Sequence, residues 1–160
     1  MSKLSFAAAA LAAFAFAAPA QAELVTHKDL TVDMAVAAAQ AAIAACKAQN
    51  QNVSATVVGR AGEIIASLRG DNSGLHTFEN SFRKAYTARS FKVPSGTVEE
   101  RLKANANLPI IHLANVIADK GGLPIKVGED TIGGIGVSGC PGCDEPCTQA
   151  GLDKIKDQLK

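Results

Sequence analysis

The sequence predicts an α+β fold, an antiparallel sheet of two hairpins flanked by helices. Two pairs of apolar, β-prone runs are each divided by a short turn. Val53–Gly59 and Glu63–Arg69 flank Arg60-Ala61-Gly62; Leu123–Val127 and Thr131–Ser138 flank Gly128-Glu129-Asp130. Such pairs read as hairpins, and hairpins build antiparallel sheets. The segments between them carry helical patterning. The order is helix, hairpin, helices, hairpin, helix, without an internal repeat or a dividing linker, so one domain is expected over residues 23–160.

Residues 1–22 precede that domain. Lys3 is the only charge before Glu23, an Ala/Phe/Leu run extends from Phe6 to Ala18, and Ala20-Gln21-Ala22 follows. A positive start, an apolar stretch of this length and an A-x-A site describe a cleavable secretory signal. The mature chain is therefore expected to begin at Glu23 and to be periplasmic or secreted. The first helix spans 31–50. Its polar positions Asp33, Gln40 and Lys47 recur every seven residues and form one narrow stripe. The remaining circumference is apolar, enough to face a sheet and a second surface, for which a neighbouring subunit is a candidate. A symmetric homo-oligomer is expected on that ground. The loop Gly70–His76 leads to a second helix, capped by Thr77 and reaching about Phe91. Thr97-Val98-Glu99-Glu100 has the capping-box pattern of a short third helix. Residues 108–118 fit helix or strand, and a terminal helix runs from Asp144 to Lys160. The strand Ile132-Gly133-Gly134-Ile135-Gly136-Val137 is rich in glycine, which suits close approach of another backbone or a ligand.

Composition narrows the function. Without Lys3, 15 basic side chains balance 15 acidic ones, which argues against nucleic acid as a partner. Hydrophobic content is 48%, largely Ala, with one Tyr and no Trp. Met34–Cys46 is too short for a membrane span.

Cys140-Pro141-Gly142-Cys143, Cys147 and the distant Cys46 are the most conspicuous chemistry. In an exported protein four cysteines favour structural bridges, and at least one is expected within Cys140, Cys143 and Cys147. Cys46, in the Ala-rich helix, suits an inert buried thiol. A C-x-x-C at a helix N-terminus can instead be a reactive dithiol, making a thiol redox protein or sensor the competing function. Zinc would need a fourth ligand from elsewhere. Covalent haem attachment is closed, because Asp144 rather than His follows Cys143. Of the histidines, His27 reads as solvated and His112 as partly buried and satisfied. His76 sits in a polar loop, where functional residues tend to lie. Arg69, Arg83, Lys84, Arg89 and Lys92 gather positive charge around the second helix, either as a solvated face or as a carboxylate site. Neither Lys120-Gly121-Gly122 nor the glycine-rich strand matches a nucleotide loop.

Together these pieces resemble the GlcG/HbpS-like haem-binding family, also described as haem-degrading domains. The resemblance runs through Leu30-Thr31 opening an Ala-rich helix, Val57 to Ala66, Leu68-Arg69-x-Asp71 and Arg83 to Ala88. It continues through Gly121 to Ile125, Ile132 to Gly139, and the acidic, Cys-containing start of the last helix. It implies a layered α/β/α domain that assembles into compact homo-oligomers and binds haem, iron or another small molecule. Exported members can signal to a membrane sensor protein. For haem, the residues assigned are His76 as iron ligand, with Tyr86 as an alternative oxygen donor. Arg69, Arg83 and Lys84 would meet the propionates. The glycine-rich strand and the Ala-rich helix would offer flat surfaces to the disc. Some haem-binding relatives carry a first-helix His where Val36 and Ala37 stand here.

Overall fold

A computed structural model describes residues 23–160; the expected signal segment lies outside them. Helix α1, Val32–Lys47, starts where Thr31 caps it, its hydroxyl accepting the Met34 N–H at 3.2 Å. Strands β1, Ser54–Val58, and β2, Ile64–Arg69, form the first hairpin. Helix α2, Leu75–Phe91, and helix α3, Ser95–Ala104, follow. The segment that fitted helix or strand contains one 3₁₀ turn, Pro109–His112, and is otherwise irregular up to the second hairpin. That hairpin is β3, Gly122–Val127, with β4, Asp130–Ser138. Helix α4, Asp144–Ile155, ends in a 3₁₀ turn, Lys156–Gln158.

The sheet order is β2-β1-β4-β3 and every pairing is antiparallel. The two hairpins thus join through their inner strands, with Ala55 opposite Val137 and Val57 opposite Ile135. One face is apolar. Ala55, Val57, Ile125, Ile135 and Val137 are buried there with Ala35, Ala38, Ala42 and Cys46 of α1 and Cys147 and Ile155 of α4. The second surface against α1 within the chain is α4. Asp33, Gln40 and Lys47 are exposed, as their spacing requires.

The opposite face is packed differently. Ser54 is hydrogen-bonded to Thr77 (2.8 Å), and Thr56 to Ser67 (2.6 Å) and Ser81 (2.8 Å), so hydroxyls join β1 to α2. A Cβ on Gly134 would lie 2.3 Å from the Ala85 carbonyl oxygen, and one on Gly136 would lie 2.3 Å from that of Ser81. The close approach expected at this strand is made by the α2 backbone, which leaves no flat glycine surface there for a porphyrin. The apolar face carries most of the burial; the hydroxyl face fixes where α2 sits.

Two helix starts differ from expectation. Thr77 is spent on Ser54 and on the Gly74 carbonyl (2.7 Å), so α2 begins earlier, with Gly74 in the cap position. Helix α3 begins at Ser95 after Pro94. The Ser95 hydroxyl donates to the Asp119 carbonyl (2.6 Å) and accepts the Gly122 N–H (2.8 Å), so the third helix is anchored by tertiary partners instead of a capping box. No helix among the described residues is long and apolar enough to cross a membrane.

Candidate functional site

The flank of α2 bearing His76, Asn80 and Lys84, spaced four apart, shares one side of the helix. It faces the loop between β4 and α4. Between them lies a cleft of about 580 Å³ whose walls also include Thr77, Glu99, Asp119, Lys120, Pro141, Gly142, Asp144 and Glu145. That volume is within the usual range for small-molecule sites.

Lys84 organises the floor. It is only 1% exposed, and a buried ammonium must be paired to persist. Its Nζ meets Asp144 Oδ2 at 2.8 Å and Asp119 Oδ2 at 2.9 Å. Asp144 Oδ1 accepts the Cys140 N–H at 2.8 Å, tying the ion pair to the loop. Burial pushes the Asp144 carboxyl above the ordinary carboxylate range, opposed by the hydrogen bond and charge of Lys84. Thr148 completes the lattice, donating to the Gly121 carbonyl at 2.7 Å. The walls carry Glu99, Asp119, Asp144 and Glu145 against Lys84 and Lys120. The charged groups of the interior are mostly acidic, which suits polar or cationic groups. His76, exposed on the rim, offers a nitrogen donor to metal chemistry.

Residues 30–153 match the family described as haem degrading protein, HbpS-like. The chain belongs to that family. Its architecture agrees with that of HbpS, at 34% identity over 82% of this chain and 93% of the other, with TM-score 0.77. A double mutant of Streptomyces reticuli HbpS is 33% identical over 86% and 96%, also at 0.77. Klebsiella pneumoniae ORFY is 26% identical over 85% and 97%, at 0.78. A structure of PduOC in complex with heme shares the fold, at 21% identity over 79% and 94% and TM-score 0.73. No curated protein matches the chain significantly.

In this HbpS-like domain the residues assigned to haem from sequence do not converge. His76 and Lys84 line the cleft, but the Lys84 charge is taken by Asp119 and Asp144 rather than left for a propionate. Arg69 borders a separate hollow beside Asp71 and donates to the Ser73 carbonyl at 2.9 Å. Arg83 donates to the Val116 carbonyl at 2.9 Å. Tyr86 lies beyond, against Gly62 and with Phe82 at a 5.8 Å ring separation. His112 is exposed instead of partly buried, because its 3₁₀ turn stays at the surface; His27 is also exposed and faces Asp29 at 3.1 Å. The acidic wall of the cleft is not legible in the sequence, since Asp119 meets Asp144 and Glu145 only through the fold.

The cysteines form two bridges, Cys140–Cys143 and Cys46–Cys147, with Cα separations of 5.2 and 5.5 Å. Cys46 is not an inert thiol: it fastens α1 to α4, which pack side by side under the sheet. Cys147 correspondingly leaves the local cluster, because it faces that core from the first turn of α4.

Proposed function

We propose that the protein is an exported iron-porphyrin-binding protein, with the porphyrin seated at the first turn of α2 and His76 supplying a nitrogen to the iron. The observation that carries this is the accessibility of the first turn of α2. Leu75 is 82% exposed and Phe78 41% exposed, so that turn presents accessible apolar side chains on a flank next to the one that bears the exposed His76 imidazole. Histidine is a common haem iron ligand and the macrocycle needs apolar contact, so this donor set fits the group. The acidic interior of the cleft does not suit a porphyrin and confines it to the rim. Membership of a haem-degrading family supports the same reading. When bound, the iron would supply the redox chemistry. The chain's own residues orient it and shield one of its faces.

Leu75, Phe78, Phe82 and Tyr86 recur on one flank of α2, and Tyr86 turns that flank toward the β1–β2 turn at Gly62. A second copy of the chain in a symmetric homo-oligomer would cover this stripe and the outer face of the porphyrin. The two disulfides suit the oxidising compartment that the leader segment implies. A membrane sensor protein is the downstream partner this reading calls for.

Hemin titration tests it. Wild type is expected to bind saturably with a Soret shift and a Kd around micromolar, about 8 kcal/mol. His76→Ala is expected to lose the shift, and His112→Ala to retain it. Absence of saturable binding by wild type overturns the function, and an unchanged His76→Ala spectrum overturns the ligand assignment.

A further inference from the structure

The two disulfides are neighbours. The Sγ atoms of Cys46, Cys143 and Cys147 lie within 4.8 Å of one another, although Cys143 is bonded to Cys140 and the other two to each other. We propose that the four cysteines form one thiol–disulfide exchange centre. In it Cys140–Cys143 is the port for external low-molecular-weight thiols, and Cys46–Cys147 is a buried partner that Cys143 can attack. This centre is independent of the porphyrin reading.

Four features support it. Cys143 is half-buried while Cys140, Cys46 and Cys147 are buried, so Cys143 is the sulfur of the four most open to external thiols. Pro141 and Gly142, between the two port cysteines, are exposed and line the cleft. Cys143 occupies the N-cap position of α4, where backbone N–H groups favour a thiolate, and Lys84 offsets the adjoining Asp144 charge. Finally, Gln49 Nε2 donates toward Cys147 Sγ at 3.9 Å, so a thiolate released there has a hydrogen-bond donor beside it.

The chemistry balances as follows. An external thiolate attacks Cys143 Sγ; a mixed disulfide forms and the electron pair of the broken bond leaves on Cys140. A second external thiolate attacks the external sulfur, giving the external disulfide and Cys143 thiolate. Two thiols are thereby oxidised and one protein bridge is reduced. Cys143 thiolate then attacks Cys46 Sγ, the Cys46–Cys147 bond breaks, and the pair leaves on Cys147. This last step conserves the number of disulfides, and thiolate attack on a sulfur is the established route for such exchange.

The test follows the position of the free thiol. Full-length protein carrying Cys140→Ser leaves Cys143 unpaired beside the buried bridge; Cys143→Ser leaves Cys140 unpaired outside the three-sulfur cluster. After incubation at pH 8, acid quench and alkylation under denaturing conditions, cleavage before Asp130 and Asp144 separates Cys140 and Cys143 from Cys147. Cys140→Ser is expected to carry label on Cys147, with Cys46 joined to Cys143. Cys143→Ser is expected to keep Cys46–Cys147 and carry label on Cys140. Wild type poised in a glutathione buffer gives a readout without substitution, with Cys140 and Cys147 labelled together. Label confined to Cys143 in Cys140→Ser, label on Cys46, or equal scrambling in both variants overturns the proposal.

Discussion

Replacing both Cys46 and Cys147 by Ala removes the cross-link between α1 and α4 and tests how the domain is held together. The bridge joins residues 101 apart in sequence. In the chain-entropy treatment, a loop of about 100 residues restricts the unfolded chain by about 4.7 kcal/mol. Cys140–Cys143 joins residues 3 apart, for which the same relation gives about 1.9 kcal/mol. Loop length alone therefore separates the two bridges by about 3 kcal/mol. The native state adds to this, because both sulfurs are fully buried in the core and their removal leaves a small cavity. With a urea m-value of about 2 kcal/mol/M, the Cys46→Ala/Cys147→Ala variant is expected to lose about 2 M in its unfolding midpoint. The Cys140→Ala/Cys143→Ala variant is expected to lose less than half as much. Urea titrations followed by far-UV circular dichroism, each fitted for its own m-value, measure the difference. Equal losses, or a midpoint shift below about 0.5 M for the long-range bridge, would refute loop closure as its contribution.

Two further outcomes follow. Gly136→Val drives a side chain into the α2 backbone at the Ser81 carbonyl and is expected to cost about 1–3 kcal/mol or more, read as a lowered thermal midpoint; an unchanged midpoint would show that α2 yields freely. A carboxyl NMR titration is expected to place Asp144 above the ordinary Asp range, through burial, and Asp130 below it, through its hydrogen bond to Arg60. The sign for stability is opposite at the two sites: Asp144 withdraws stability as pH rises through its raised pKa, whereas Asp130 contributes stability that is lost as pH falls through its lowered pKa. The reverse order of titration would contradict both assignments.

Local pattern and final structure coincide where the chemistry is local. The two hairpins are set by short turns between β-prone runs, and the exposed stripe of α1 by its seven-residue spacing. Thr31 opens α1 because its hydroxyl reaches an N–H three residues on. The resemblance to the HbpS-like family likewise rests on short stretches such as Arg83 to Ala88 and Ile132 to Gly139, which can be read without coordinates.

What spacing cannot supply is the choice among distant partners. Thr77 has the composition of a helix cap, yet β1 places Ser54 within 2.8 Å of it and the cap passes to Gly74. The glycines of β4 announce a close approach without naming what approaches; α2 occupies the space. Lys84 reads as a surface cation until the fold sets Asp119 and Asp144 around it and buries it with Asp144. Four cysteines admit three pairings, and only the packing of α4 against α1 selects Cys46 for Cys147. Sequence alone determined the two hairpins, the existence of the helices and the exposed stripe of α1, because those depend on neighbours a few residues away. The tertiary structure decided the cleft, its buried charge and the disulfide pairing, since each joins groups that meet only when the sheet and its helices close around them.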